Sequence, residues 1–305
     1  MNTLVLGGNG FIGSHLVDRL LKEGHFVRVF DKYAERFRKP LPGVDYLYGD
    51  FGNRGELDAA LEGIDTVFHL ICSTLPKSSN DDPIFDVESN VVGTLHLLEQ
   101  CVTNKIKKIV FTSSGGTIYG NLPRLPIDED SPANPACSLG ITKLTIEKYL
   151  AVFNNLRGLD CAVLRPSNPY GSRQDPAGVQ GAIAVFLRRV AKGKPIEIWG
   201  DGSIVRDFIF IADLVEGVYR AATIATKSRV FNLGSGVGYS LNDVVRIIGD
   251  VTGCEPKVDY KPRRPFDVAN NCLDISRARV EMGWEPLVPL RAGIEKTWEF
   301  IREMG

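Results

Sequence analysis

The sequence predicts an α/β protein: a doubly wound parallel sheet of the Rossmann type, followed by a smaller mixed α/β lobe. Three observations carry this. In the first half, short β-rich runs alternate with stretches of helical period, the pattern of successive βαβ units. A glycine-rich turn, "LGGNGFIG", stands between the first such run and the first helical stretch. Beyond about residue 170 the alternation gives way to the Gly/Pro/Gln segment "NPYGSRQDPAGVQG" and then to short strands with few helical partners.

Taken in order, strands are expected at Thr3 to Leu6, Phe26 to Phe30, Val44 to Tyr48, Thr66 to Ile71, Lys108 to Ser113 and Cys161 to Arg165. Between the first two, "IGSHLVDRLLKEGH" places Ile12, Leu16, Val17, Leu20 and Leu21 on one helical face, with Gly24 as its stop. In the second part a helix is expected in "AIAVFLRRVAKG", and short strands in "PIEIWGDG", "RDFIFIADL", "VFNLGSG" and "PKVDY". Residues 1–168 form the first domain in this reading. Residues 169–305 form mainly the second lobe, with later segments returning to the first.

The chain has 305 residues, 44% of them apolar, enough for a sizeable core without metals or disulfides. Its 36 basic and 37 acidic residues leave a net charge of −1, so neither nucleic acid nor an anionic membrane is expected as a partner. Six scattered cysteines include no C-x-x-C pair and no zinc spacing, which predicts reduced, mostly buried thiols and no metal. The first strand-like run begins at Thr3, leaving no room for a signal segment, and no apolar stretch approaches a membrane span of about 18–20 residues. A soluble, cytoplasmic protein is expected.

Gly7, Gly10 and Gly13 lie in G-x-x-G-x-x-G spacing between predicted strand and helix, with Phe11 and Ile12 opening the helix. Glycines there allow a tight turn and close approach of backbone to a pyrophosphate, which then sits on the helix dipole. Asp31 ends the second strand about 20 residues further on, where a carboxylate accepts bonds from an adenosine ribose diol. It would repel a 2′-phosphate, so NAD is expected rather than NADP, although Arg28 and Lys32 are close in sequence. Asp50, in "YGDF" with Phe51, closes the third strand and is a candidate for the adenine amine.

Together with "FHLIC" (68–72), "ESNVVGT" (88–94), "FTSSGGTIYG" (111–120), "LRPSNPYG" (164–171), "WGDGSIVRDFIFIADL" (199–214) and "LDISRARVEMGWEP", these residues make the chain resemble the extended short-chain dehydrogenase/reductases. Within them it is most similar to the NAD-dependent sugar-nucleotide epimerases and dehydratases, and nearest to the UDP-hexose 4-epimerases. The resemblance implies tightly held NAD that oxidises a sugar C4 hydroxyl and returns the hydride to the other face. It implies cofactor contacts at Leu70, Asn90, Lys143, Pro166 and Ser167, and hexose contacts at Ser114 and Thr117. Asn168, Arg206 and Arg264 would hold the diphosphate, a task suited to bidentate guanidinium groups. A homodimer is implied, joined through helices near 91–103 and 138–153.

One position departs from the family. Its general base is a tyrosine four residues before the lysine, on the same helix face, where the ammonium can stabilise a phenolate. In "CSLGITK" the lysine is Lys143 and the tyrosine's place is taken by Leu139. None of the nine tyrosines has a lysine four residues later, and Tyr149 stands ten residues past Leu139, about 15 Å along a helix. Gly115 stands where a Ser or Thr usually shares the hydroxyl proton. A 4,6-dehydratase is disfavoured, since Gly116 and Thr117 replace its acidic pair. Three readings remain open: a binding protein that has lost turnover, a sequence altered at 139, and an enzyme with another base.

Overall fold

The computed structural model describes residues 1–175, 181–262 and 268–304. The first half runs β1 (Asn2–Leu6), α1 (Phe11–Lys22), β2 (Phe26–Asp31), β3 (Val44–Tyr48), α2 (Arg54–Leu61), β4 (Thr66–His69), α3 (Pro76–Asp81), α4 (Pro83–Asp86), a π-helix (Val87–Val92) continuing into α5 (Gly93–Thr103), β5 (Lys108–Thr112), α6 (Ser138–Arg157) and β6 (Asp160–Pro166). The second half runs β7 (Asn168–Tyr170), α7 (Ala182–Ala191), β8 (Ile196–Trp199), β9 (Val205–Phe210), α8 (Ile211–Thr223), β10 (Val230–Leu233), β11 (Gly238–Ser240), α9 (Leu241–Thr252), β12 (Val258–Lys261), α10 (Ser276–Met282) and α11 (Leu290–Met304).

Seven strands form one parallel sheet in the order β10-β6-β5-β4-β1-β2-β3. Strand order reverses between β1 and β4, the switch point at whose carboxyl ends α/β sheets bind ligands. Both faces of the sheet are covered, so its strands are apolar nearly throughout. Alternation still sorts them. Val5, Val27, Val29, Phe68 and Val110 point to one side, with Leu16, Val17 and Leu20 of α1 and Leu214, Val215 and Val218 of α8. Leu4, Leu6, Phe30, Val67, Ile109 and Phe111 point to the other, with Leu57 of α2, Leu97 and Leu98 of α5 and Ile146 and Leu150 of α6. These two layers fix the doubly wound fold.

Two smaller sheets lie in the second half: β11-β9-β7 and β12-β8. The strand at Val230–Leu233, which the sequence places among the short strands of the second part, lies in the main sheet beside β6, Val230 opposite Val163. The stretch "RDFIFIADL" is not one strand: β9 stops at Phe210 and α8 starts at Ile211. The turn from strand to helix is pinned by Asp213, whose carbonyl accepts from the Trp284 indole at 2.9 Å and whose carboxylate accepts the Val288 N–H at 3.0 Å. The expectation of mostly buried thiols is also corrected. Of the six free cysteines only Cys101 and Cys161 are buried, while Cys72 and Cys254 are exposed. Among the described residues no helix is long and apolar enough to cross a membrane.

Candidate active site

The glycine turn sits at the carboxyl end of β1. Gly7 has φ +81°, a conformation that side chains disfavour, and its N–H donates to the Phe30 carbonyl at 2.9 Å. Gly13 lies against the turn so closely that a Cβ would come within 2.7 Å of the Gly8 Cα, so α1 packs directly on the loop. Gly10 is the N-cap of α1 and no side chain caps it, which leaves the amides of Phe11 and Ile12 turned toward the mouth of the switch point. The Phe11 ring meets His15 edge-on at 6.1 Å.

Asp31 organises this turn. Its carboxylate accepts the Asn9 N–H at 3.0 Å and the Tyr33 N–H at 3.2 Å, and burial raises its pKa above the ordinary carboxylate value. Asn9, which sequence reasoning passed over, returns a bond from its amide to the Tyr33 carbonyl at 2.7 Å. Arg28 is turned away, held by Asp45 at 2.7 Å and by the Ala60 and Glu62 carbonyls. Asp50 caps its own turn at Gly52 N and pairs with Lys32 at 3.0 Å on the surface. Phe51 stacks tilted on His69 at 5.1 Å and covers Gly93, where a Cβ would stand 2.7 Å from its ring. Leu70 continues the β4 edge, its N–H bonded to the Leu6 carbonyl at 3.0 Å.

On the other side of the switch point, α6 lays Leu139, Lys143 and Glu147 along one face toward the sheet. All three are buried. The Lys143 ammonium donates to the Thr112 carbonyl at 2.9 Å and stands 4.7 Å from the centre of the Phe111 ring. Complete burial foremost, and then the Lys143 charge, push the His69 imidazole down to about 3, so His69 is neutral. Leu139 is 7% exposed but belongs to neither of the two main cores. Its side chain offers no polar atom beside Lys143.

Beyond β5 and β6 the pairing continues: Ser113 N donates to Leu164 O at 2.6 Å and Gly115 N to Pro166 O at 2.8 Å. This brings Ser113, Ser114, Thr117, Pro166 and Ser167 to adjacent strand ends. The hydroxyls of Ser113, Thr117 and Ser167 are buried without a hydrogen-bond partner among the described residues. Such groups are rare in folded proteins, because each carries an uncompensated desolvation cost.

Asn168 and Arg206 come together on the three-stranded sheet. Asn168 of β7 lies opposite Phe208 of β9, and Arg206, two residues before Phe208, shares that face. Asn168 donates to the Asp207 carbonyl at 2.8 Å, and Arg206 to the Val205 carbonyl at 2.9 Å. Arg264 lies outside the described residues.

Tyr119, Tyr149 and Tyr170 do not offer a free buried phenol in place of Leu139. Tyr119, nearest the site in sequence, is fully buried with its hydroxyl bonded to Asn232 at 2.7 Å and Arg165 at 2.8 Å, and burial pushes its pKa up to about 12. Burial likewise raises Tyr170, whose hydroxyl bonds the Leu290 carbonyl. Tyr149 is 39% exposed on the outer side of α6. Gly115 also has a structural reason: a Cβ there would lie 2.6 Å from the Leu273 Cδ1 and 2.9 Å from the Arg165 carbonyl. The side chain absent at 115 is supplied from the second half of the chain.

Three supporting groups escaped the sequence reading. Asp86 is completely buried and bonds Asn90, Thr74, Ser138 and Thr142. Glu147 and Arg165 form a buried bidentate pair at 2.6 and 3.0 Å, joining α6 to β6. Asn271 donates to the Gly115 carbonyl at 2.9 Å. Glu147 could have been found by extending the Leu139–Lys143 face one more turn. The other two offer no local signal.

A family model for the NAD dependent epimerase/dehydratase family matches residues 3–234. The UDP-glucose 4-epimerase of Mycolicibacterium smegmatis is 40% identical over 99% of this chain and 99% of that protein. The crystal structure of the Thermotoga maritima UDP-glucose 4-epimerase with UDP-glucose superposes with a TM-score of 0.95 at 35% identity, covering 100% of this chain and 99% of that one. The Thermus thermophilus UDP-glucose 4-epimerase in complex with NAD gives a TM-score of 0.93 at 34% identity, covering 99% of each. Likeness in sequence and in shape thus runs the length of the molecule, and the chain belongs to the NAD dependent epimerase/dehydratase family.

Proposed function

We propose that this chain binds NAD and a UDP-linked hexose as a sugar-nucleotide 4-epimerase does, and that its turnover is impaired by the loss of one proton-transfer group. The observation that carries the reading is the α6 face: Lys143 is buried and bonded to the Thr112 carbonyl, and one turn earlier stands Leu139, while the Tyr119 and Tyr170 hydroxyls are engaged elsewhere. The relatives named above support the ligand classes.

The residues present fit a dinucleotide. The turn at Gly7–Gly13 leaves room for a pyrophosphate against uncapped amides, Asp31 offers a carboxylate at the ribose position, and three buried hydroxyls await partners. NAD, when bound, supplies the hydride acceptor for the sugar C4 and the donor for its return. Phe11, Ile12, Asp50, Phe51, Leu70, Asn90, Pro166 and Ser167 line its path in this reading, and Lys143 holds its nicotinamide ribose. Thr117 and Ser114 hydrogen-bond the hexose. Asn168 and Arg206, with Arg264, clamp the diphosphate.

Proton transfer is the weak step. Leucine has neither lone pair nor acidic proton, so the C4 hydroxyl must pass its proton to water, directly or by relay through the Thr117 hydroxyl, which hands its own proton on to that water, at a cost of about 10² to 10⁴ in rate. A second reading, a non-catalytic protein binding NAD and a nucleotide sugar, rests on the same Leu139 and on the engaged hydroxyls of Tyr119 and Tyr170. Incubation with UDP-glucose or UDP-N-acetylglucosamine, following C4 inversion beside Leu139→Tyr, separates the two. A slow but measurable parent supports the enzyme; a silent parent that holds both ligands supports the binding protein.

The same proposal includes a cytoplasmic homodimer. Ile141, Tyr149, Val152 and Leu156 form an exposed apolar stripe on α6, and Val92, Val87, Ile84 and Phe85 extend it across the π-helix and α4. A sizing column should show a dimer that Val152→Glu with Leu156→Glu converts to monomer.

A further inference from the structure

The start of α6 is not capped by its own residues. Its N-cap, Cys137, provides no side-chain oxygen. The first two amides are satisfied from α3 instead: Ser138 N–H donates to the Asn80 side chain at 2.9 Å and Leu139 N–H to the Ser79 hydroxyl at 3.1 Å. Below them lies Asp86, whose carboxylate is out of contact with water. One oxygen accepts from Thr74 at 2.5 Å and from Asn90 at 3.0 Å; the other accepts from Ser138 at 2.8 Å and Thr142 at 3.2 Å. Among the described residues no cation pairs with it.

A buried charge without a counter-ion is held by its hydrogen bonds, and here these reach three segments at once. Thr74 belongs to the loop after β4. Asn90 lies in the π-helix, a distortion that recurs at functional sites, and its side-chain oxygen accepts the Ser73 N–H at 3.0 Å, so the same loop is held twice. Ser138 and Thr142 flank Leu139 and precede Lys143 on α6. The carboxylate also sits at the positive end of the α6 dipole, where a negative charge is favoured.

We propose that Asp86 is the positioning residue of this site: it sets the first turn of α6, and with it Lys143 and position 139, against the loop at 73–74 that walls the same pocket. Asp86 touches neither cofactor nor hexose; it acts through Asn90, Thr74 and α6. The assignment rests on the proposed reading that the nicotinamide lies beside Lys143, and two measurements keep the claims separate.

Asp86→Ala and Asp86→Asn are compared with the parent by hydrogen exchange and by NADH titration followed through nicotinamide fluorescence. In Asp86→Ala the amides of 73–75 and of 139–143 should loosen together while α1 keeps its protection. NADH affinity should fall about tenfold. Asp86→Asn keeps the shape and one acceptor oxygen, while the Ser138 and Thr142 hydroxyls can turn to accept from its amide, so affinity should return to within about threefold of the parent. Loosening of only one segment, or unchanged NADH affinity in Asp86→Ala, overturns the proposal. If the parent itself fails to bind NADH, the cofactor reading falls, and the joint loosening still decides whether Asp86 couples loop and helix. Should Asp86→Ala not fold, Ser138→Ala with Thr142→Val removes only the α6 half of the hub: amides 139–143 should loosen and NADH affinity fall while 73–75, still held through Thr74 and Asn90, keep their protection, and unchanged NADH affinity overturns the proposal.

Discussion

Lys143 donates from its ammonium to the carbonyl oxygen of Thr112 at 2.9 Å, tying the second turn of α6 to the end of β5. The bond places a cation at the carboxyl end of the sheet before any ligand arrives. Replacing Lys143 by Met keeps the stem and removes the charge. NAD affinity should then fall by about ten- to a hundredfold, the usual worth of a hydrogen bond to a charged group, while the fold persists. Titration calorimetry with NAD checks this.

Gly115 and Leu273 occupy one space between them. Gly115→Ser pushes a side chain into the Leu273 methyl and two carbonyls, and should destabilise the protein by about 1–3 kcal/mol. Leu273→Ala alone should cost about 2–5 kcal/mol for the cavity it leaves. Combined, the two should cost less than their sum, with a coupling of about 1 kcal/mol measured by urea unfolding. Additive costs would mean that the two side chains do not compete.

Stability should decline on mild acidification. The His15 ring donates from Nε2 to the Ser172 carbonyl at 2.9 Å, and burial first, then the Arg173 charge, lower its pKa from 6.5 to about 4. Between those values the unfolded chain binds a proton that the native state refuses. The stabilisation is therefore present above 6.5 and is lost as pH falls toward 4, by up to roughly 3 kcal/mol. His15→Gln should flatten the urea midpoint between pH 6.5 and 4 relative to the parent.

The sheet was legible because buried parallel strands are written locally, as runs such as "TLVL" and "TVFH" between turn residues. The nucleotide turn was legible because its glycines and Asp31 keep a fixed distance along the chain. Val230–Leu233 was readable as a strand, but its place beside β6 depends on long-range pairing that four residues do not encode. Asp86 was invisible for a related reason: "FDVESN" is an ordinary acidic helix segment until Thr74, Ser138 and Thr142 converge on it. Leu273 as the filler of Gly115, and Glu147 as partner of Arg165, belong to the same class of non-local facts.

In the proposed reading Leu139 leaves an epimerase-like site short of one proton-transfer group beside Lys143. Leu139→Tyr restores a phenol one turn before Lys143, on the same buried face. With NAD supplied and UDP-glucose as substrate, the initial rate of C4 inversion should rise by about 10² to 10⁴ over the parent. Turnover by the parent at a rate equal to that of Leu139→Tyr would contradict the account, because it would show that another group already carries the proton.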